Sequence, residues 1–214
     1  MRRFVLAFLV LLATPALMGG GQLAPRRHLD ISDADRAALD GISLYLNSIA
    51  TMKGNFIQIG PSGSVDQGAF YIAKPGRVRF VYDPPSPTLI VADGRTVAVA
   101  NKRLNTVDRY PLSETPLELV LGNDIDLRHN SALVSIQHQP GAVIIGVRTN
   151  DSMTRANISL VFSEPQYELR QWSVIDNQGL TTTVALRDVT PGVALAPSLF
   201  VLPDRNPFAR RAQE

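Results

Sequence analysis

The chain has 214 residues, 45% of them hydrophobic and 19% charged, with a formal net charge of +2. That balance fits one globular domain of ordinary size and excludes a disordered chain. There is no cysteine, which excludes disulfides, zinc–thiolate centres, a cysteine nucleophile and a lipid anchor built on an N-terminal cysteine.

Arg2 and Arg3 precede an apolar run, Phe4 to Ala13, and then Thr14, Pro15 and Ala16. A basic start, a short apolar run and small residues read as a secretory signal peptide, expected over residues 1–24. Ala16 and Ala24 both suit cleavage, so the exact point stays open. The run is too short to span a bilayer, which needs about 20 residues. Removing Arg2 and Arg3 with the leader leaves a formally neutral chain, and no basic run carries interleaved aromatics, so nucleic acid is not an expected partner.

Residues 25–31 read as a tether. A helix is expected from Ser32, where Ser32 and Asp35 resemble a capping box. Ala38, Ile42, Tyr45 and Ile49 would form its apolar face. Gly41 sits inside it at a cost of about 1 kcal/mol relative to Ala. From Gly54 the apolar period becomes two. Strands are expected at 54–59, 65–74, 77–82, 88–92, 96–100 and 106–110, with Asp93-Gly94 as a hairpin turn. Thr115-Pro116-Leu117-Glu118 announces a short second helix with its own capping box, and Gly122 ends it. Strands resume at 133–139, 142–148, 156–162, 168–176 and 180–189. One helical turn is expected at 198–200 in a proline-rich tail. Short strands joined by tight turns, with no βαβ rhythm, predict one large antiparallel sheet, and about ten strands should curl into a barrel or half-barrel.

No catalytic constellation can be assembled. His28, His129 and His138 lack metal-ligand spacing and read as solvated residues, so no metal site and no cofactor is expected. Gly60-Pro61-Ser62-Gly63 has the wrong spacing for a nucleophile elbow. Asp124 and Asp126 read as a polar turn rather than an acid pair or a calcium loop. A secreted hydrolase is therefore disfavoured, and the protein is expected not to be an enzyme.

The stretch from Gly68 to Gly94 contains Gly68, Phe70, Ile72, Lys74-Pro75, Arg79-Phe80, Tyr82, Pro85 and the run Leu89 to Gly94. Together with Phe56-Ile57-Gln58, Met52, Thr115-Pro116-Leu117 and Phe200-Val201-Leu202-Pro203, it resembles the LolA family of periplasmic outer-membrane lipoprotein carriers. The resemblance spans residues 32–203, expected to form a single domain ahead of a flexible tail at 204–214. It implies a mainly β fold, an incomplete antiparallel barrel covered by helices. It also implies a monomeric periplasmic carrier of triacylated lipoproteins. Such a carrier takes cargo from an inner-membrane ABC-type transporter and passes it to an outer-membrane acceptor. In the family an arginine before the proline holds the lid through helix carbonyls; here that position is Lys74, with Arg77 or Arg79 as substitutes. Lys74 also reads as an exposed lysine at a strand end.

Alternation assigns Phe56, Phe70, Ile72, Val78, Phe80, Tyr82, Leu89 and Val91 to a concave, acyl-binding face. Leu117, Val120 and Leu121 would plug it, and Trp172 would contribute from a late strand. Burying an acyl chain gains about 0.8 kcal/mol per CH₂, so a releasable carrier must oppose part of that gain with its own plug. The alternative reading is a periplasmic lipid or lipoprotein sensor of the same fold.

Overall fold

The computed structural model describes residues 31–115, 117–130, 132–148 and 157–203. The expected signal peptide, His28, most of the tether, Pro116 and the tail at 204–214 lie outside the described residues.

The first helix, α1, spans Asp33–Ser48. Its capping box forms as read. The Ser32 Oγ accepts the Asp35 N–H at 3.1 Å, and the Asp35 carboxylate accepts the Ser32 N–H at 2.9 Å. Two donors that an α-helix leaves unpaired are thereby satisfied. The buried stripe is Ala38, Leu39, Ile42 and Leu46. Leu39 and Leu46 displace Tyr45, which lies half-buried on the flank.

Eleven strands follow: β1 Thr51–Ile59, β2 Val65–Ala73, β3 Arg77–Tyr82, β4 Thr88–Asp93, β5 Thr96–Asn101, β6 Thr106–Pro111, β7 Leu133–Gln139, β8 Ala142–Arg148, β9 Asn157–Ser163, β10 Leu169–Ile175 and β11 Thr181–Pro191. They form one antiparallel sheet in the order β6-β5-β4-β3-β2-β1-β11-β10-β9-β8-β7. Two meanders thus meet where β1 pairs with β11. β6 and β7 are the two edges and do not pair, so the barrel stays incomplete.

This order has a topological consequence. β6 and β7 follow each other in sequence yet lie at opposite edges. The chain between them, residues 112–132, must therefore travel edge to edge. It does so across the concave face, where Leu117, Leu121 and Leu127 join the core with α1 and the inner strand residues. Within it, α2 is one turn, Glu118–Leu121. The expected capping box does not form. Leu117 occupies the N-cap position with no side-chain bond, and the Thr115 hydroxyl donates backward to the Leu112 carbonyl at 2.8 Å. Thr115 closes the preceding 3-10 turn, Leu112–Glu114, instead of opening the helix.

The outer face is covered at β3 and β4 by a 3-10 turn, Pro197–Phe200. Arg79 donates to the Leu199 carbonyl at 3.0 Å, and the Arg77 guanidinium sits 5.6 Å from the Phe200 ring centre. Phe200 is buried there.

Gly41 explains itself in this packing. A Cβ at that position would lie 2.2 Å from the Tyr167 ring, which leans on α1 from the β9–β10 turn. Gly41→Ala is expected to destabilise the protein by about 1–3 kcal/mol through overpacking. In a Tyr167→Ala background the same change should instead stabilise by about 1 kcal/mol from helix propensity. Urea unfolding of the four proteins measures both signs.

Candidate functional site

The site lies between the inner face of the sheet and its roof, α1 with the crossover. Pairing fixes which residues face inward. Phe70 pairs with Phe80, Ile72 with Val78, Val78 with Ala92 and Phe80 with Ile90, and directly opposed residues share a face. Phe56, Phe70, Val78, Phe80 and Tyr82 all lie in the buried core as placed by alternation.

Leu89 and Val91 do not face inward, although Val91 is fully buried. They pair with Val81 and Arg79 and share the outer face with them, while Ile90 and Ala92 point inward. The run Leu89-Ile90-Val91-Ala92 is apolar on both faces because the Pro197–Phe200 turn covers the outside. Sequence alternation therefore carried no parity there.

A cavity opens where sheet and roof meet. Ile72, Val78, Phe80 and Trp172 line its sheet side, and Leu117, Val120 and Leu121 its roof. Phe56, Phe70 and Tyr82 pack behind them. Their rings form edge-on contacts, Phe56 to Phe80 at 5.2 Å, Phe56 to Tyr82 at 4.9 Å and Phe80 to Trp172 at 6.1 Å between centroids. Ile49, at the C-cap of α1 and already on its expected apolar face, also lines the cavity; sequence reasoning did not assign to it Leu46 of α1, Met52, or Ile158, Leu160, Leu169 and Leu186 of the second meander. Their alternation was legible, but nothing local told which parity faced the roof.

The cavity holds about 50 Å³ of free volume. An apolar cavity of about 150 Å³ accepts one benzene, so this form is nearly filled by its own side chains. Its lining contains one charged residue, Lys74.

Lys74 sits in the β2–β3 turn, and that turn holds both parts of the roof. The Lys74 Nζ donates to the Leu46 carbonyl at 2.8 Å. The Lys74 N–H donates to the Ala50 carbonyl at 2.8 Å, and the Gly76 N–H to the Leu121 carbonyl at 2.9 Å. Leu46 and Leu121 lie in the last turns of α1 and α2, where carbonyls lack helical partners and attract cations. Gly76 has φ 68°, and a Cβ there would lie 2.8 Å from the Gly94 Cα, so only glycine fits. Desolvation lowers the Lys74 pKa. Arg77 and Arg79 bind the C-terminal turn on the outer face and take no part.

The opposite end of α1 is pinned as well. His138 Nε2 lies 3.0 Å from Asp35 Oδ1, and its Nδ1 lies 3.7 Å from Glu164. His129 pairs with Asp126 at 2.7 Å in an exposed turn, where the Asp126 carboxylate also accepts two backbone N–H groups. Asp126 thus serves the polar turn. Among the described residues no group of three or more potential ligands is placed to hold a metal.

The family model for "Outer membrane lipoprotein carrier protein LolA" matches residues 47–203. The chain belongs to the LolA family. An outer-membrane lipoprotein carrier protein of Dechloromonas aromatica is 26% identical over 178 residues, covering 78% of this chain and 84% of the relative. One from Coxiella burnetii is 26% identical over 181 residues, covering 79% and 84%. Among solved structures, an uncharacterised protein of Thermus thermophilus aligns with TM-score 0.49 and 13% identity over 81% of this chain and 97% of its own. The LolA superfamily protein NE2245 of Nitrosomonas europaea aligns with TM-score 0.44 and 10% identity over 78% and 96%. The incomplete antiparallel barrel roofed by helices is the architecture the family resemblance implied. The family is one of carriers rather than enzymes. No helix among the described residues is long and apolar enough to cross a membrane.

Two predictions follow from the polar groups around this LolA-family cavity. Tyr82 donates its hydroxyl to the Gln58 Oε1 at 2.7 Å in the core, and burial, first of all, pushes the phenol pKa up. Tyr82→Phe should cost about 1–3 kcal/mol, because the Gln58 oxygen stays buried without a donor; denaturant midpoints report it. The Asp35 carboxyl is held below its ordinary value of 3.8, first by the Ser32 hydroxyl and then by the Ser32 N–H and His138, against its own desolvation. A depressed carboxylate stabilises the fold above the unfolded value and stops doing so as pH falls through the folded one. Acid unfolding should therefore steepen below pH 3.8, and Asp35→Asn should flatten that limb in pH-dependent thermal melts.

Proposed function

We propose that this protein carries the acyl chains of triacylated lipoproteins in the cavity under α1 and the crossover. Cargo would come from an inner-membrane ABC-type transporter and go to an acceptor at the outer membrane, in the periplasm that a signal peptide would reach. The observation that carries the reading is the cavity itself: an apolar interior filled by a roof that two helix ends and one turn hold in place.

The physics favours a carrier over a storage protein. With about 50 Å³ free, acyl chains enter only by displacing Leu46, Leu117 and Leu121. Each buried CH₂ of cargo gains about 0.8 kcal/mol, but the displaced leucines lose burial of their own at about 1.5–3 kcal/mol each. Net affinity is then the difference between two packed states, which permits release. Lys74 sets part of that difference by stabilising the closed state through the Leu46 carbonyl. A lysine supplies a single compact ammonium where arginine supplies a planar fork, and one bond at 2.8 Å suffices here.

Incubating the purified protein with inner-membrane vesicles bearing the transporter should yield captured triacylated lipoprotein by mass spectrometry. Capture of nothing, together with no uptake of a fluorescent apolar probe, would refute the carrier reading. Lys74→Met leaves the Leu46 carbonyl without its donor in the closed form, a loss of about 1–3 kcal/mol. It should tighten apparent probe affinity by roughly tenfold, since about 1.4 kcal/mol is tenfold, whereas Lys74→Arg should stay near the parent. Unchanged probe binding by Lys74→Met would remove the latch role and leave the cavity standing.

A further inference from the structure

The outer face of the sheet carries a groove that is roomier than the cavity under the roof. It holds about 330 Å³ and is lined by Asn55, Ile57, Gln67, Asp83, Arg187 and Asp188, together with Phe56 and Gly68. Register places it on the outside. Asn55 pairs with Ala69 and Arg187, and Ile57 with Gln67 and Ala185. These positions alternate with the inward Phe56, so their side chains face away from the core. Asp83 joins them just past the end of β3, where its N–H donates to the Gln67 carbonyl at 2.8 Å. Ala69 and Ala185 carry one methyl each, so the face dips between longer neighbours.

A bulge shapes one end of the groove. Arg187 pairs with Asn55 but Thr190 with Lys53, so Asp188 and Val189 stand against Gly54 alone. Strict alternation would send Asp188 inward after Leu186. With φ 51° at Asp188 the bulge turns its carboxylate outward instead, where Oδ2 accepts from the Asn55 Nδ2 at 3.0 Å. Bulges re-aim side chains in this way. Two charged groups of the lining stay unengaged. Among the described residues the side chains of Arg187 and Asp83 make no hydrogen bond and no ion pair. Arg187 is on β11 and Asp83 extends β3, three strand spacings away in the sheet order, about 14 Å. Opposite charges thus share one groove without meeting.

We propose that this groove binds a small zwitterion, a short free peptide, with its carboxylate on Arg187 and its ammonium on Asp83. A guanidinium presents a planar fork that matches a carboxylate, and a carboxylate accepts from an ammonium. The Gln67 amide and the Asn55 Oδ1 lie between the two ends and offer a donor and acceptors to a peptide bond. Ile57 gives the same ligand an apolar surface. An anion would meet two carboxylates here and a simple cation the guanidinium, whereas a ligand carrying both charges suits both ends. The volume of about 330 Å³ falls at the lower end of small-molecule sites, which run from about 300 to 1,000 Å³. The groove lies on the face opposite the acyl cavity, and this site stands or falls apart from the carrier reading.

Titration of the isotope-labelled full chain with L-alanyl-L-alanine, followed by amide chemical shifts, tests the site. Shifts should saturate at Asn55, Ile57, Gln67, Arg187 and Asp188. Exposed charge contacts are individually weak, so half-saturation is expected at about 1 mM. Arg187→Gln should weaken dialanine binding by about fivefold, the scale of one exposed ion pair, and leave binding of dialanine amide, which lacks the carboxylate, as in the parent. Asp83→Asn should weaken dialanine equally and leave N-acetyl-dialanine, which lacks the ammonium, as in the parent. Neither side chain bonds to the rest of the described fold, so both variants should melt with the parent and the loss of binding stays readable. The absence of saturable shifts in the groove overturns the proposal. So does a loss that ignores which end of the peptide is capped. Shifts of the same amides by maltose, with dialanine silent, would make the groove a polyol site and overturn the zwitterion.

Discussion

An antiparallel sheet with one apolar face must cover that face, and here the sheet never closes on itself. Its edges, β6 and β7, are consecutive in the chain but lie at opposite ends of the strand order. The connection between them has to cross the open mouth, and its leucines fall into the core. The roof over the cavity is thus a consequence of the topology, and the rest of the structure arranges how firmly that roof is held.

Firmness comes from groups that a helix leaves unsatisfied. The last carbonyls of α1 and α2 would be orphaned against an apolar interior. The β2–β3 turn offers them an ammonium and an N–H, at 2.8 and 2.9 Å. These are modest bonds of about 0.5–1.5 kcal/mol net, and in the carrier function proposed above they would yield when acyl chains compete for the interior. The aromatic floor behind them, centred on Phe80, is tightly packed and stays with the sheet. The roof is held to the sheet at isolated points, and the floor by ring against ring.

The same division explains the outer face. Arg77 and Arg79 alternate with Val78 and Phe80 along β3, so the strand that lines the cavity also anchors the C-terminal turn on its back. Lys74, in the turn that precedes β3, is the cation that reaches the mouth. A single strand with its turn therefore faces the cavity, the roof and the outer turn at once.

Much of this was legible in the residues. Period-two alternation with Gly, Pro and Asp-Gly turns located the strands of both meanders, and Ser32 with Asp35 located the start of α1, because these signals act within a few residues. Inward positions such as Phe70, Val78 and Phe80 were readable where one face is wet. Leu89 and Val91 were not, because both faces of β4 are covered and alternation loses its meaning. Thr115 looked like a cap, yet its hydroxyl closes the preceding turn. The pairing of β1 with β11, the crossover's path, the partner of Lys74 and the bond from Asn55 to Asp188 were decided only by the folded chain. Those contacts join residues far apart in sequence, and no local pattern encodes which distant backbone group will lie opposite a given side chain.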